Sequence, residues 1–340
     1  METTKLPNPV YRLPPWTCTA VAKTYDQTKD WSLDFLKIPE VWKMAKGTGV
    51  KVCILDTGVD LTHPDLKVAD VKDFSNSVFG ADDRNAHGTW TLGMVAGAQD
   101  NEFGVVSIAP EATAYAGKVL GDDGTGSDQA IRAGLEWADE IGADVVSMSL
   151  GAPTMGPNMK AGLIEYLSKP GRFVIAAAGN AGMLNSVGQP AKDSSTLAVA
   201  AVDRTGHRAP FSSRGPEVDV AAPGVDMIST VPTWMGLYGK MSGTSMATPV
   251  VAGVVALMIS SGFYPDLKDI SKLRSLIRQH STDVGPVGRD DQYGFGLINP
   301  SSLLEPTAKP GDGGSDQNVY KVELMSLGFA TVYLSLELNL

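Results

Sequence analysis

Long apolar runs, cysteine and positive charge are all scarce in this chain of 340 residues, and each scarcity excludes something. No stretch approaches 18 consecutive apolar residues, so no membrane-spanning helix is expected. Two cysteines, Cys18 and Cys53, are too few for a disulfide framework. A single bridge between them is possible, but two reduced thiols in a cytosolic chain is the preferred reading. Lys and Arg number 28 against 38 Asp and Glu, a net charge of −10. That balance leaves no basic surface for a phosphate backbone, and nucleic-acid binding is not expected. Residues 1–11 contain no apolar stretch of the kind a secretory leader needs. The expected location is therefore cytoplasmic, the alternative being an exported protein whose leader is not part of this chain.

Glycine (37 residues) and apolar side chains (43%) are plentiful, while charged residues make up only 19%. This is the profile of a tightly turned, well-buried α/β protein rather than a disordered, collagenous or coiled-coil chain. Residues 1–30 read as irregular, broken by Pro7, Pro9, Pro14 and Pro15. A short helix is expected from Ile38 to about Lys46, ended by Gly47 and Gly49. Apolar strands are expected at 50–55, 114–120, 145–150, 173–178 and 196–202, with helices after Ser127 and at 159–167 and 244–260. Strands apolar on both faces and alternating with helices predict a three-layer αβα sandwich around a mainly parallel sheet. After Leu304 a Pro- and Gly-rich linker (305–317) leads to residues 318–340, whose alternating Val and Leu predict a β-hairpin. Its apolar face should pack on the rest of the chain or on a second subunit. The oligomeric state is left open.

Three segments put a reactive side chain at the end of a regular element. Asp56-Thr57-Gly58 closes an apolar strand, where open sheets place their sites. His87-Gly88-Thr89 opens a buried apolar helix. Gly243-Thr244-Ser245-Met246-Ala247-Thr248-Pro249 sets a serine at the mouth of the longest helix, in the positive field of its N-terminus. A serine hydroxyl is a weak nucleophile unless an imidazole takes its proton, and the imidazole needs a carboxylate to fix its tautomer. The order Asp56, His87, Ser245 departs from the α/β-hydrolase and chymotrypsin orders and agrees with that of subtilisin.

Over about residues 31–304 the sequence resembles the subtilisin-like serine proteases, or subtilases. The resemblance rests on those three motifs together with Ser147-Met148-Ser149-Leu150-Gly151 and Ala177-Ala178-Gly179-Asn180, all in the family's order. In organisation it is similar to the intracellular members. The resemblance implies a serine endopeptidase acting on protein or peptide substrates through an acyl-enzyme. Asp56 would orient the base, His87 would act as general base and acid, Ser245 as nucleophile and Asn180 as oxyanion donor. Gly124, Thr125, Gly126, Ser149, Leu150 and Gly151 would bind an extended substrate backbone, with Ala178 and Gly179 beside them. No cofactor is implied for catalysis. A structural calcium is implied at Asp65, Gln99, Asn101, Phe103 and Val105. The resemblance also suggests that residues 1–30 are an inhibitory extension, in which the prolines near Tyr11-Arg12-Leu13-Pro14-Pro15-Trp16 would resist cleavage; the alternative is a disordered or surface-packed tail.

Two family positions differ: Trp90 and Val250 stand where histidines are usual, so packing around the His87 helix is expected to change. Other readings of the function are a catalytically silent binding protein and a substrate-selective maturation protease. Among the remaining candidates, His63 reads as a structural or surface histidine, and His207 and His280 as solvated. Met148, Met241, Met246 and Met258 read as core, Cys53 as a small buried hydrophobe, and Trp31 and Trp42 as packing residues. Asp82, Asp83 and Arg84 read as a solvated loop.

Overall fold

A computed structural model describes residues 9–14, 17–21, 28–98 and 103–305. The hairpin expected at 318–340, and all of the linker except Glu305, lie outside the described residues. Strands β1 (Val10–Arg12) and β2 (Cys18–Val21) come first, followed by two short helices, α1 (Trp31–Phe35) and α2 (Ile38–Val41). Next are β3 (Lys51–Asp56), β4 (Asp70–Asp73), α3 (His87–Val95), β5 (Thr113–Lys118) and β6 (Thr125–Ser127). The middle of the chain alternates: α4 (Asp128–Glu140), β7 (Val145–Met148), α5 (Pro157–Leu167), β8 (Phe173–Ala177) and β9 (Leu197–Val202). Then come β10 (Val220–Pro223), β11 (Met227–Thr230) and β12 (Tyr238–Met241), with α6 (Thr244–Ser261), α7 (Ile270–His280) and α8 (Pro300–Leu303) at the end.

Seven strands form the central sheet in the order β10-β9-β8-β7-β3-β5-β4, every pair parallel. Alternate residues of each central strand enter different cores, as a period of two requires. Val52, Ile54, Val145, Phe173 and Ile175 join the core that holds Trp90 and Leu92 of α3 and Val251 and Val254 of α6. Their neighbours Cys53, Leu55, Val146 and Val174 join the core that holds Ile131 and Leu135 of α4 and Met159 and Leu163 of α5. Helices therefore cover both faces, giving the expected sandwich. Helix α6 is long and apolar enough to cross a bilayer by length and composition. It is instead a core helix, buried from Thr244 to Met258.

Three local expectations need correction. The first thirty residues are not wholly irregular: β1 pairs with β6, and β2 joins β11 and β12 in a three-stranded sheet. Both partners lie more than a hundred residues downstream, so nothing local in the sequence signals them. Helix α2 stops at Val41 rather than near Lys46. The chain continues in tighter turns, with Lys43 N–H donating to the Glu40 carbonyl and Met44 N–H to that of Val41. The strand expected at 145–150 ends at Met148, which frees Ser149, Leu150 and Gly151 to pair elsewhere.

Candidate active site

The chain leaves β3 for β4 and β5 on one side and for β7 on the other, so the sheet order reverses beside β3. A crevice opens at such a switch point, beyond the carboxyl ends of the strands. Asp56 is the last residue of β3 and is 1% exposed. His87 is the first residue of α3 and fully buried. His87 Nδ1 lies 2.8 Å from Asp56 Oδ1 and 3.0 Å from Oδ2. The carboxylate also accepts from Thr57 N–H (2.8 Å) and from the Thr91 hydroxyl (3.3 Å), so it is held from three directions. Two glycines let the motifs meet. A Cβ on Gly88 would lie 2.2 Å from the Gly58 carbonyl oxygen, and one on Gly58 would lie 2.3 Å from that of Ala81. A side chain at Gly88 would push the start of α3 away from the end of β3, and one at Gly58 would displace the loop at Ala81.

Asp83 corrects the reading of Asp82, Asp83 and Arg84 as solvated. Asp82 and Arg84 form an exposed ion pair at 2.8 Å, but Asp83 is fully buried. Its Oδ1 accepts from the Thr57 hydroxyl, Asn85 N–H and Ala86 N–H, each at 2.9 Å. Its Oδ2 accepts from Thr89 N–H (2.8 Å) and the Thr89 hydroxyl (2.7 Å). Burial raises the Asp83 carboxyl above the usual carboxylate range, and these bonds oppose the rise. Asp83 thus caps α3 and holds Ala86, whose φ of 90° is left-handed, immediately before His87. A carboxylate four residues ahead of a helix start was the available signal.

Ser245 is the second residue of α6 and 1% exposed. Its hydroxyl donates to the Ser149 carbonyl at 3.1 Å, and the Ser149 hydroxyl donates to the Ser245 carbonyl at 2.9 Å. The second bond follows from Pro249. Proline has no N–H, so the carbonyl four residues earlier, that of Ser245, loses its helical donor. Ser149, on the loop after β7, supplies one. Asn180 Oδ1 accepts from Thr244 N–H (2.9 Å) and the Thr244 hydroxyl (2.8 Å). Its carbonyl end is thereby fixed to the first turn of α6, which Gly243 cannot cap with a side chain. Trp90 takes up the histidine position within α3, fully buried, with Nε1 donating to the Gly239 carbonyl of β12 at 2.9 Å. Val250 is likewise buried.

The expected cleft residues face one another across a strand already laid between them. Val10, Tyr11 and Arg12 pair with Ser127, Gly126 and Thr125. On the other side, Arg12 N–H donates to the Gly151 carbonyl and Gly151 N–H to that of Arg12, both at 3.0 Å. Leu13 N–H donates to the Gly124 carbonyl at 3.1 Å. Continuing this antiparallel register sets Pro14 opposite Ser149. Proline has no N–H to offer the Ser149 carbonyl, which accepts the Ser245 hydroxyl instead. Alongside is a cavity of about 410 Å³ lined by Leu13, Pro14, Leu150, Ala178, Gly179 and Ala181 among others. The charged side chains on its wall are Arg12 and Lys192, the latter paired with Glu217 at 3.5 Å.

Of the residues expected to hold calcium, Gln99 and Asn101 lie outside the described residues, and Phe103 and Val105 are described. Asp65 is 3% exposed; Oδ2 accepts from Val105 N–H (2.8 Å) and the Tyr238 hydroxyl (3.4 Å). Oδ1 is buried with no hydrogen-bond partner among the described residues. Burial pushes this carboxyl up to about 6. His63 is structural as expected: Nε2 bonds the Leu237 carbonyl at 2.8 Å and Nδ1 accepts from Asp65 N–H. His207 is exposed, whereas His280 is half-buried against the Ser302 hydroxyl (3.0 Å), a correction to the solvated reading. Met148, Met241, Met246 and Met258 are all buried. Trp42 and Trp31 donate through Nε1 to the Ile108 and Val225 carbonyls. Cys18 and Cys53 are free thiols; Cys53 is fully buried, which raises its pKa.

Residues 47–296 match the subtilase family. The chain is 42% identical to subtilisin DY of Bacillus licheniformis over 283 residues, covering 82% of this chain and 100% of that protein. It is 40% identical to subtilisin E of Bacillus subtilis (strain 168) over 290 residues, 84% of this chain and 74% of the other. It is 39% identical to the thermostable alkaline protease of Halalkalibacterium halodurans over 277 residues, 81% and 73% respectively.

Proposed function

For a chain that belongs to the subtilase family and is a serine endopeptidase, we propose that Asp56, His87 and Ser245 carry the reaction and Asn180 steadies its oxyanion. The observation that carries this reading is the bond from His87 Nδ1 to buried Asp56, with Ser245 buried at the mouth of α6, the helix that packs against α3. Donation of Nδ1–H to the carboxylate leaves Nε2 as the nitrogen that takes the Ser245 proton. The serine oxygen then adds to the substrate carbonyl. The negative oxygen so formed meets the Asn180 amide and the Ser245 N–H at the helix mouth. Collapse expels the amine, which leaves with the proton from His87. Water, activated by the same imidazole, then releases the acyl group and restores the serine. A fluorophosphonate should label Ser245 in the native protein once residues 1–16 are deleted, and not after heat denaturation; an unlabelled native protein of that length would refute the assignment.

Asn180→Ala should lower kcat by about 10²–10³ with little change in KM. The magnitude is the one known for subtilisin, not one obtained from this structure. A change confined to KM would assign Asn180 to substrate binding instead.

Residues 9–14 are further proposed to block the cleft of their own chain. They occupy both backbone edges that a substrate would use, and with them in place His87 and Ser245 are shut off from solvent. The absent N–H of Pro14 supports resistance to cleavage, because a bound substrate would donate to Ser149 there. Two free thiols suit a reducing compartment, in keeping with a cytoplasmic enzyme.

Calcium fits Asp65: a buried carboxylate oxygen without a hydrogen-bond partner among the described residues is the kind of hard donor that ion takes, and Gln99, Asn101 and the loop at 103 and 105 would add further oxygens. The ion would pin the loop and take no part in the chemistry. Chelation should lower Tm by about 5–10 °C, with calcium found by elemental analysis of the untreated protein. An unchanged Tm and no metal would remove the site.

A further inference from the structure

We infer that the hollow filled by Tyr11 selects tyrosine in substrates, at the fourth residue counted back from the bond that is cut. The inference rests on the protease reading and on the register above, in which Pro14 stands opposite Ser149 and Tyr11 lies three residues before it. Tyr11 is fully buried although Val10 beside it is 49% exposed and Arg12 is exposed too. Its ring belongs to the apolar cluster that contains Leu120, Ile131, Leu135, Leu150 and Ala152. Such a hollow by itself would take phenylalanine as readily as tyrosine.

The far end of the hollow is polar. The Tyr11 hydroxyl accepts the N–H of Gly156 at 2.8 Å and donates to Asp128 Oδ1 at 3.4 Å. Asp128 is fully buried and locked by other bonds, accepting Asn158 N–H at 2.9 Å and Met159 N–H at 3.0 Å. In this way it caps α5, whose own N-cap residue, Gly156, has no side chain for the task. A Cβ on Gly156 would lie 2.0 Å from Asp128 Oδ1, so donor and acceptor are pressed together by the fold. The pair that reads the hydroxyl is therefore made by the packing of α4 against α5, independently of what lies between them and the cleft. Burial pushes the Tyr11 phenol up to about 12, so it keeps the proton it donates. Phenylalanine would fill the same hollow but leave the Gly156 N–H dry and unpaired. A site built to bond a hydroxyl discriminates strongly against the analogue lacking it.

The test uses the full chain and two synthetic peptides that differ only in carrying tyrosine or phenylalanine at that position. Each continues with Arg-Leu-Ala before the bond to be cut, and mass spectrometry fixes which bond is broken. The ratio of the two kcat/KM values is independent of how many molecules have an open cleft. Tyrosine should be favoured about tenfold or more. A ratio near one, a preference for phenylalanine, or cleavage of the tyrosine peptide at a different bond would overturn the inference while leaving the protease reading intact. No cleavage of either peptide by the full chain or by the chain lacking residues 1–16, together with no fluorophosphonate label on Ser245 in the shortened chain, would remove the protease reading and this inference with it.

Discussion

Ser245→Ala should give a folded protein whose kcat is lower by about 10⁶. That is the loss known for the corresponding change in subtilisin, and it is not a quantity obtained from this structure. The fold should survive because the hydroxyl makes a single described bond, to the Ser149 carbonyl, while the Ser245 carbonyl keeps its donor from the Ser149 side chain. On the proposed assignment, what disappears is the nucleophile, while the oxyanion donors and the substrate-binding edges remain and account for the residual rate. Circular dichroism and a thermal melt should match the parent, while a chromogenic peptide shows no turnover above background. Turnover comparable to that of the parent would mean that another group attacks the carbonyl.

Deleting residues 1–16 should raise the initial rate on a small peptide by about 10–100-fold. A short tether presents its end to the cleft at an effective concentration in the millimolar range, above the KM of most peptide substrates. The deletion stops before β2 so that β12 keeps its neighbour in the three-stranded sheet. A larger deletion would mix release of the cleft with exposure of that edge. Equal initial rates, with the parent's extension shown intact by mass spectrometry, would reject self-blocking.

Much of the site was legible because it is written in local patterns. Asp56, His87, Ser245 and Asn180 each sit at the end of an apolar strand or the start of an apolar helix, and that arrangement survives in one dimension. The parallel sheet was legible for the same reason: strands such as Phe173–Ala177 and Leu197–Val202 are buried on both faces and read as unbroken apolar runs. What escaped depends on distant partners. The pairing of Val10–Arg12 with Thr125–Ser127 spans more than a hundred residues, and Pro9 and Pro14 on either side argued locally against a strand. Asp83 looked like surface because a carboxylate between Asp82 and Arg84 usually is; its burial follows only once Thr57 and α3 are brought to it. Asp128, an acidic residue in the first turn of α4, carries no local sign of its burial either.

Pro249 has a consequence for how this enzyme comes into being. The first turn of α6 cannot satisfy its own backbone: the carbonyl of Ser245 is completed by Ser149 on another layer of the sandwich, and Thr244 N–H by Asn180. An isolated or half-assembled helix would leave those groups to water and the serine without its setting. The reactive residue therefore takes its working geometry only after β7, β8 and α6 have docked. On the proposed assignment of Ser245, an incompletely folded chain should be inert toward its neighbours, with hydrolytic competence arriving late, as a property of the finished sandwich.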